Sequence, residues 1–573
     1  MKKKYILILS LILCGCLGLT GITKLIKAAK DYQLEDYRAK YIPIDENYIG
    51  ADFQGGQIAY RVDNAIKENI NTFETWIRVD EGVNTRGVIF GNYCYYSKAT
   101  SSNWQITADG NVQVYWGGTT ITFTSYDARN AEWTHIAVVR DEAQQKFLLY
   151  VNGEYKEAST TFASADVSGN KYLHHIGGDC TESNRKHPFL GEIGQVTCYS
   201  TAKSAEEIKK DFQEYDKISH STRDESLIFN TMLQIGDEVA SDNSINANHA
   251  RLVTMNYFYE DALFETKDYS FVVLGDTQGL ARANEAALHT YKDWIIEQKD
   301  EKKISAVFHM GDITYGNPEV PEAKWNAHWE AAAKPMKELR TQVPFVCVPG
   351  NHDYPNNAKG DRNLDKFNQY FPANEFETLS YYGGAYEKGK TQNTYYFMEF
   401  DNIEYLVIAL ELRPENAVMN WACNLMKQYS DKRVIITTHD FLNEAWEMSA
   451  GDGYFSQDVD RVIAKDMWEK YLCKQENLFM ILCGHSVTDD IGYKELTGEN
   501  GNTVMAFMID PSNVLAQSGL DTITALFTVD EKESKLYLNY FSIDKNKLFN
   551  IQNQRVIDFS GFTTLTKSYY ESR

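Results

Sequence analysis

Cysteine is scarce, with nine in 573 residues. Cys14 and Cys16 belong to an apolar leader; the other seven (Cys94, Cys180, Cys198, Cys347, Cys423, Cys473 and Cys483) are odd in number and widely spaced. That pattern excludes a disulfide framework and a zinc ribbon. Cys347 and Cys483 lie inside apolar runs and read as core fillers. Basic charge is also in deficit, 57 Lys and Arg against 80 Asp and Glu, for a net charge of −23. Such a surface repels nucleic-acid phosphates and anionic lipid, so no nucleic-acid interface is expected. An anionic substrate would have to be drawn in by local positive charge. Repeats and low-complexity tracts are absent. The first half also lacks a convincing pair of catalytic carboxylates, Glu74 and Glu132 notwithstanding, which argues against a carbohydrate-cleaving enzyme there.

The N-terminus bears on compartment. Met1-Lys2-Lys3-Lys4 is followed by an apolar stretch from Tyr5 to Ile22. Residues 1–30 therefore read as a secretory signal or an N-terminal anchor rather than as part of the fold, and the run approaches the length that spans a bilayer. Leu13-Cys14-Gly15-Cys16 resembles a bacterial lipoprotein signal with Cys16 as the lipid-bearing residue, and no good small-x-small cleavage site precedes Asp31. All three readings export the chain, secreted or anchored at a bacterial cell surface, with membrane contact only through a retained leader.

A chain of this length exceeds one core, and its pattern changes near residue 265. Before that point come short alternating runs: Thr72 to Val79, Val112 to Trp116, Trp133 to Arg140, and Phe147 to Val151 closing on Asn152-Gly153. These are half-buried antiparallel strands with a hairpin signal, so an all-β sandwich is expected. After it, apolar strands alternate with amphipathic helices at Leu280 to Gln298 and Glu322 to Leu339, an α/β order. Strands return at Val504 to Ile509, Ile523 to Val529 and Leu536 to Phe541.

The first region resembles laminin-G-like, concanavalin A-type jelly rolls. Asp52-Phe53-Gln54-Gly55, Phe73-Glu74-Thr75-Trp76-Ile77, Trp133 to Val138, Tyr150-Val151-Asn152-Gly153, Phe189 to Gly194 and Ser204 to Ile208 carry the likeness, and the segment Asp242 to Leu252 extends the expected domain to 45–258. The resemblance implies binding of a glycan or cell-wall polymer, with Ca²⁺ in some members, or a spacer role. Tyr95, Tyr96, Trp104 and Trp116 are either sugar-stacking aromatics or ordinary sandwich aromatics. His174-His175 is no shared metal pair, since neighbours in a strand point to opposite faces.

Five polar clusters follow in the second region, each at the end of an apolar run: Gly275-Asp276-Thr277-Gln278, Gly311-Asp312, Gly350-Asn351-His352-Asp353, Thr438-His439 and Gly484-His485. Ligands collect at the carboxyl ends of strands in open α/β sheets. Carboxylate, imidazole and carboxamide together suit Zn, Mn or Fe rather than Ca. Singly, each cluster is a common turn; five in order are not.

At these residues the chain resembles the calcineurin-like metallophosphoesterases, the superfamily that includes purple acid phosphatases. The likeness covers about 268–545, leaving 546–573 as a C-terminal extension, and implies two facing sheets flanked by helices, a four-layer sandwich. By motif, Asp312 would bridge two metals, Asn351, His439 and His485 would complete one site, and Asp276 would open the other. His352 would be the general acid, with Asp353 orienting an imidazole or serving as a turn carboxylate. Two departures stand out: Gln278 replaces the His of Asp-x-His, and Val487 replaces the last His of Gly-His-x-His. Gln can coordinate weakly; Val cannot. Tyr315, in Gly311-Asp312-Ile313-Thr314-Tyr315, matches an iron-ligating Tyr of purple acid phosphatases, and Asp489 and Asp490 are further candidates. The Gly-rich stretch Asn443 to Gln457 is a candidate lid or an ordinary loop, and Lys359 and Arg362 are candidate phosphate contacts. One or two metal ions per chain and metal-activated hydroxide attack on a phosphoester are implied. The alternative is a weak or inactive phosphoesterase fold serving as a cell-surface binding protein.

Overall fold

The computed structural model describes residues 42–561 apart from 46–47, 53–57, 94, 179–186, 216–224, 234–238, 255–257, 451–460, 489 and 512–521. The leader, Cys94, Cys180, Asp489, residues 451–457 of the candidate lid and the side chains of Tyr95 and Tyr96 lie outside the described residues.

The first region is two antiparallel sheets packed on one apolar core. One sheet centres on Glu192–Tyr199, Thr72–Arg78, Thr134–Asp141 and Lys146–Val151; the other on Ile58–Val62, Gly87–Gly91, Ser102–Ile106 and Asn111–Trp116. Alternation sets the inner face: along Asn111–Trp116, Val112, Val114 and Trp116 are buried and the residues between them are not. Asn152 and Gly153, at φ 50° and 74°, make the tight turn of the hairpin from Lys146–Val151 to Glu154–Ala158. Trp104 and Trp116 are core residues rather than sugar platforms. Trp104 stacks on Phe73 with ring centroids 4.7 Å apart, and the Trp116 indole donates to the Ala165 carbonyl at 2.8 Å. The strand Ala250–Thr254 pairs with Ile58–Val62, which accounts for the segment that follows the last expected sandwich strand.

The second region holds two facing sheets. In one, β1 (Tyr269–Leu274), β2 (Ile304–His309) and β3 (Phe345–Cys347) run parallel, and Ile523–Asp530 and Lys535–Ser542 continue antiparallel. In the other, Ile403–Ala409, β4 (Arg433–Thr437), β5 (Leu478–Cys483) and β6 (Thr503–Met508) are parallel. β1, β3, β4 and β5 are buried along their whole length, which is why they read as unbroken apolar runs. Side chains from both sheets share one core, joined by α1 (Gln278–Ala283), α2 (Glu285–Gln298) and α3 (Glu322–Arg340). The single helix expected from Leu280 to Gln298 is two, because Asn284 leaves helical geometry at φ −150°, ψ 69°. Beyond 545, Lys547–Phe549 and Arg555–Asp558 pair with Lys535–Ser542.

The regions touch near the metal-site loops. Arg61 of the sandwich donates to Asp490 at 2.7 Å, with side chains 12% and 1% exposed. The guanidinium groups of Arg61 and Arg555 lie 4.6 and 5.4 Å from the Trp446 ring, and the Tyr172 hydroxyl donates to Glu444 at 2.6 Å.

Candidate metal centre

Strand ends deliver the predicted ligands from both sheets: Asp276 after β1, Asp312 after β2 and Asn351 after β3, against His439 after β4 and His485 after β5. Close approach requires the glycines beside them. A Cβ on Gly350 would fall 2.2 Å from the Asp312 carboxylate, and one on Gly484 would fall 2.3 Å from Asp276 Oδ1. Asp312 and His485 hold left-handed backbone at φ 48° and 74°. Strain of this kind, about 1–3 kcal/mol per residue, persists where surroundings over-determine it and concentrates at functional sites.

Asp276, Asp312 and His439 are buried, each with a ligand atom within 4.8 Å of the others. His439 Nδ1 donates to the Met310 carbonyl at 2.7 Å, which turns Nε2 into the site. On that one nitrogen converge Asn351 Oδ1 at 3.0 Å, His485 Nδ1 at 3.2 Å and Asp312 Oδ1 at 3.3 Å. A single proton cannot serve three such neighbours; a cation among them can. Asn351 is oriented by donating its amide to Asn357 Oδ1, which aims its carbonyl inward. Gln278 Nε2 donates to Asp312 at 3.3 Å, while its Oε1 is buried with no hydrogen-bond partner among the described residues. A carbonyl oxygen left unsatisfied beside the Asp312 carboxylate is a fitting ligand for a hard metal, so the donor set fits metal binding.

The electrostatics agree. Burial, then Asp510 and Asp312, push the Asp276 carboxyl well up. Burial acts against the charge on Asp312 too, but His439 and His352 outweigh it and hold that carboxyl below the usual range. Burial disfavours charge on His439, yet Asp312 raises it to about 9. Burial lowers His485. The proton on His439 supplies positive charge that a bound cation would replace, so metal uptake should release it.

His352 presents its Nε2 toward Asp312 at 4.0 Å while Nδ1 donates to the Gly316 carbonyl at 2.9 Å. Asp353 plays no part in orienting it. Its carboxylate accepts from the amides of Gly350, Ile313 and Thr314 at 2.8–3.1 Å, tying the Asp312 and Asn351 loops together. It is a turn carboxylate, because four nearby donors, the Thr314 hydroxyl included, consume its acceptor sites. Tyr315 stacks its ring on His352 at 4.9 Å, and its hydroxyl accepts from Asn317. Asp490 turns away to Arg61 and Gln552. Arg362 is held by Tyr354, the Leu412 carbonyl and, at 3.7 Å, the Glu411 carboxylate. The described start of the candidate lid is pinned to the sandwich through Glu444 and Trp446.

Sequence reasoning missed two groups. Asp440, beside His439, accepts from Arg413 at 2.8 and 3.0 Å and anchors that ligand's backbone. Asp510, just past β6, is buried, and its segment packs on Gly275 beside Asp276; the strand-end rule that found the other residues points equally to it.

Residues 269–489 match the calcineurin-like phosphoesterase family model, and residues 53–209 match that of the concanavalin A-like lectin/glucanases superfamily. Curated relatives include the uncharacterized protein YvnB of Bacillus subtilis, 24% identical over 42% of this chain and 17% of that one. Another is the "Probable inactive purple acid phosphatase 1" of Arabidopsis thaliana, 23% identical over 39% of this chain and 37% of that one. The chain thus spans less than two fifths of either relative's length. Similar solved structures include Ruminococcus gnavus IT-sialidase CBM40, 17% identical over 30% of this chain and 96% of that one, TM-score 0.22. The SAP-like pentraxin of Limulus polyphemus is 13% identical over 28% and 78%, TM-score 0.22. The chain joins a concanavalin A-like β-sandwich to a calcineurin-like phosphoesterase domain.

Proposed function

We propose that the chain is an exported, metal-dependent phosphoric-ester hydrolase whose β-sandwich binds a glycan or another surface polymer. The observation that carries the hydrolase reading is the convergence of Asp312, Asn351 and His485 on His439 Nε2. Asp312, Asn351, His439 and His485 would hold one cation, and Asp276 and Gln278 would begin a second site. Bound cations would polarise a phosphoryl group and acidify water. The chain's own residues do the rest. His352, 17% exposed with its Nε2 4.0 Å from Asp312, would protonate the leaving oxygen. Tyr315 and the Gly316 carbonyl fix that imidazole's plane and tautomer, and Asp353 holds the two ligand loops in register.

A second reading, a phosphoesterase fold that binds without turnover, is favoured by Gln278 and Val487 standing where imidazoles are expected. Steady-state hydrolysis of an aryl phosphate monoester and diester by stripped and Mn²⁺- or Zn²⁺-reloaded protein separates the two. Metal-dependent turnover lost in His352→Ala supports the enzyme; no turnover with either metal sinks it. The accessory role rests on the family match of residues 53–209. Retention of the full chain on a cell-wall polysaccharide column tests it, and flow-through at every salt would refute it.

A further inference from the structure

We infer that His309 is a positioning residue of the metal centre: its imidazole ties the Asp276 loop to the Asp312 loop and so holds Asp276 and Gln278 against Asp312. The inference rests on the metal-centre reading above and adds to it a residue outside the donor set. His309 ends β2, which lies between β1 and β3, and it is fully buried. Both ring nitrogens are engaged. Nδ1 accepts from the Gly311 amide at 3.2 Å. A ring nitrogen that accepts from an amide carries a lone pair, so the imidazole is neutral and its proton sits on Nε2. Nε2 therefore donates to the Thr277 hydroxyl at 3.0 Å, and that hydroxyl donates to the Ile313 carbonyl at 3.3 Å. One ring thus joins the residue after Asp276 to the residues on either side of Asp312. An imidazolium offers no acceptor and a phenyl ring offers neither group, so neither could complete the chain.

The link displaces an ordinary helix cap. Thr277 precedes α1 at the N-cap, where a Thr oxygen usually accepts from an amide of the first turn, yet it makes no such bond. Its hydroxyl goes to His309 and Ile313 instead, and its own amide donates to the Asp312 carbonyl at 3.1 Å. Gln278 is the first residue of α1, and its Nε2 donates to the Asp312 carboxylate. The place of Thr277 therefore sets where that carboxamide stands. On the other side of the link, Gly311 and Asp312 hold consecutive left-handed backbone at φ 97° and 48°. Such a conformation persists only where neighbours impose it, and the bond from the Gly311 amide to His309 is one such constraint. None of these bonds reaches Asn351, His439 or His485, so the link bears on the Asp276 and Gln278 side of the centre.

Calorimetric titration of the metal-stripped full chain with Mn²⁺ and with Zn²⁺, beside elemental analysis of the loaded protein, tests this. The binding step lost in Asp276→Asn marks the site concerned. His309→Phe keeps a ring but removes both hydrogen bonds; it should weaken that step about 10–100-fold, the range of an outer-shell loss, and change the other step by less than about 3-fold. His309→Gln, whose amide nitrogen can still reach Thr277, should recover most of the loss. Thr277→Val breaks the same link from its other end and decides the matter even where His309→Phe does not fold. It should match His309→Phe, and the double variant should be no worse than either single one, because both remove one link. A Thr277→Val protein with native dichroism and both steps unchanged overturns the inference and spares the metal centre. Equal weakening of both steps does the same, as do losses that add in the double variant. A single step in wild type that survives in Asp276→Asn also overturns it and leaves the hydrolase reading on the remaining site. No binding by wild type overturns both.

Discussion

The two sheets that share the metal centre are pinned at their opposite end by a buried ion pair, and breaking it should loosen both fold and site. Arg433 opens β4 in one sheet; Glu531 follows Ile523–Asp530 in the other. Their side chains are 4% and 0% exposed, with Arg433 Nη1 donating to Glu531 Oε1 at 2.6 Å. Tyr269, the first residue of β1, donates to the same carboxylate at 2.7 Å, and Arg433 donates to the Tyr405 hydroxyl at 2.7 Å. Glu531→Leu would leave a guanidinium buried without its counter-ion, a cost of about 3–5 kcal/mol. Loss of the acceptor for Tyr269 adds about 1 kcal/mol. We expect Glu531→Leu to destabilise the phosphoesterase domain by about 4–6 kcal/mol. The double variant Arg433→Met/Glu531→Leu should recover most of that loss, because no charge is then left unpaired. Urea denaturation followed by near-ultraviolet dichroism reads the effect, with the sandwich's own transition as an internal control. A single-variant loss below about 1 kcal/mol, or a double variant no better than the single one, would refute the reasoning.

Other consequences follow from buried charge elsewhere. Burial pushes the Glu74 carboxyl up to about 7 from its ordinary 4.5, so the folded state holds a proton across that window that the unfolded chain releases, and stability falls as pH rises through it. Glu74→Gln cannot titrate. It should therefore be more stable than wild type at pH 8 by up to about 3 kcal/mol, with the advantage fading toward pH 4.5. His135, which meets Glu74 at 3.1 Å and is lowered by burial to about 4, acts in the opposite sense; urea midpoints at the two pH values check the difference. Arg61→Met strips the direct ion partner from Asp490, leaving it Gln552 and the charge of Arg555, and should cost about 1.5–3 kcal/mol. Calorimetry should then show the sandwich and phosphoesterase transitions moving apart, and unchanged transitions would mean that the contact does not couple them.

Much of the fold was legible because burial on both faces leaves a simple mark. β1, β3, β4 and β5 are continuous apolar runs, and the polar residue after each run is where the chain leaves the sheet. The inward pointing of Trp104 and Trp116 was not legible: alternation names two faces, and an aromatic suits a core as well as a sugar. The two roles open to Asp353 could not be told apart from sequence for a related reason. A carboxylate next to His352 in sequence looks like its partner, but the loop turns it onto three backbone amides and leaves His352 to Gly316. The pairing of Asp490 with Arg61 joins residues from different domains, and no local pattern encodes such a contact. Asp510 lay within reach of the strand-end rule, yet only the fold shows that its segment packs on Gly275, beside Asp276.

The central claim is that strand ends from two sheets form a metal centre, with Asp312 reaching His439 on one side and Gln278 on the other. Elemental analysis of metal bound to the dialysed full chain, wild type beside Asp312→Asn, tests it most directly. Wild type should retain at least one ion per chain and the variant essentially none, with dichroism spectra unchanged. Equal metal content in the two proteins, or none in the wild type after incubation with Zn²⁺ and Mn²⁺, would contradict the account.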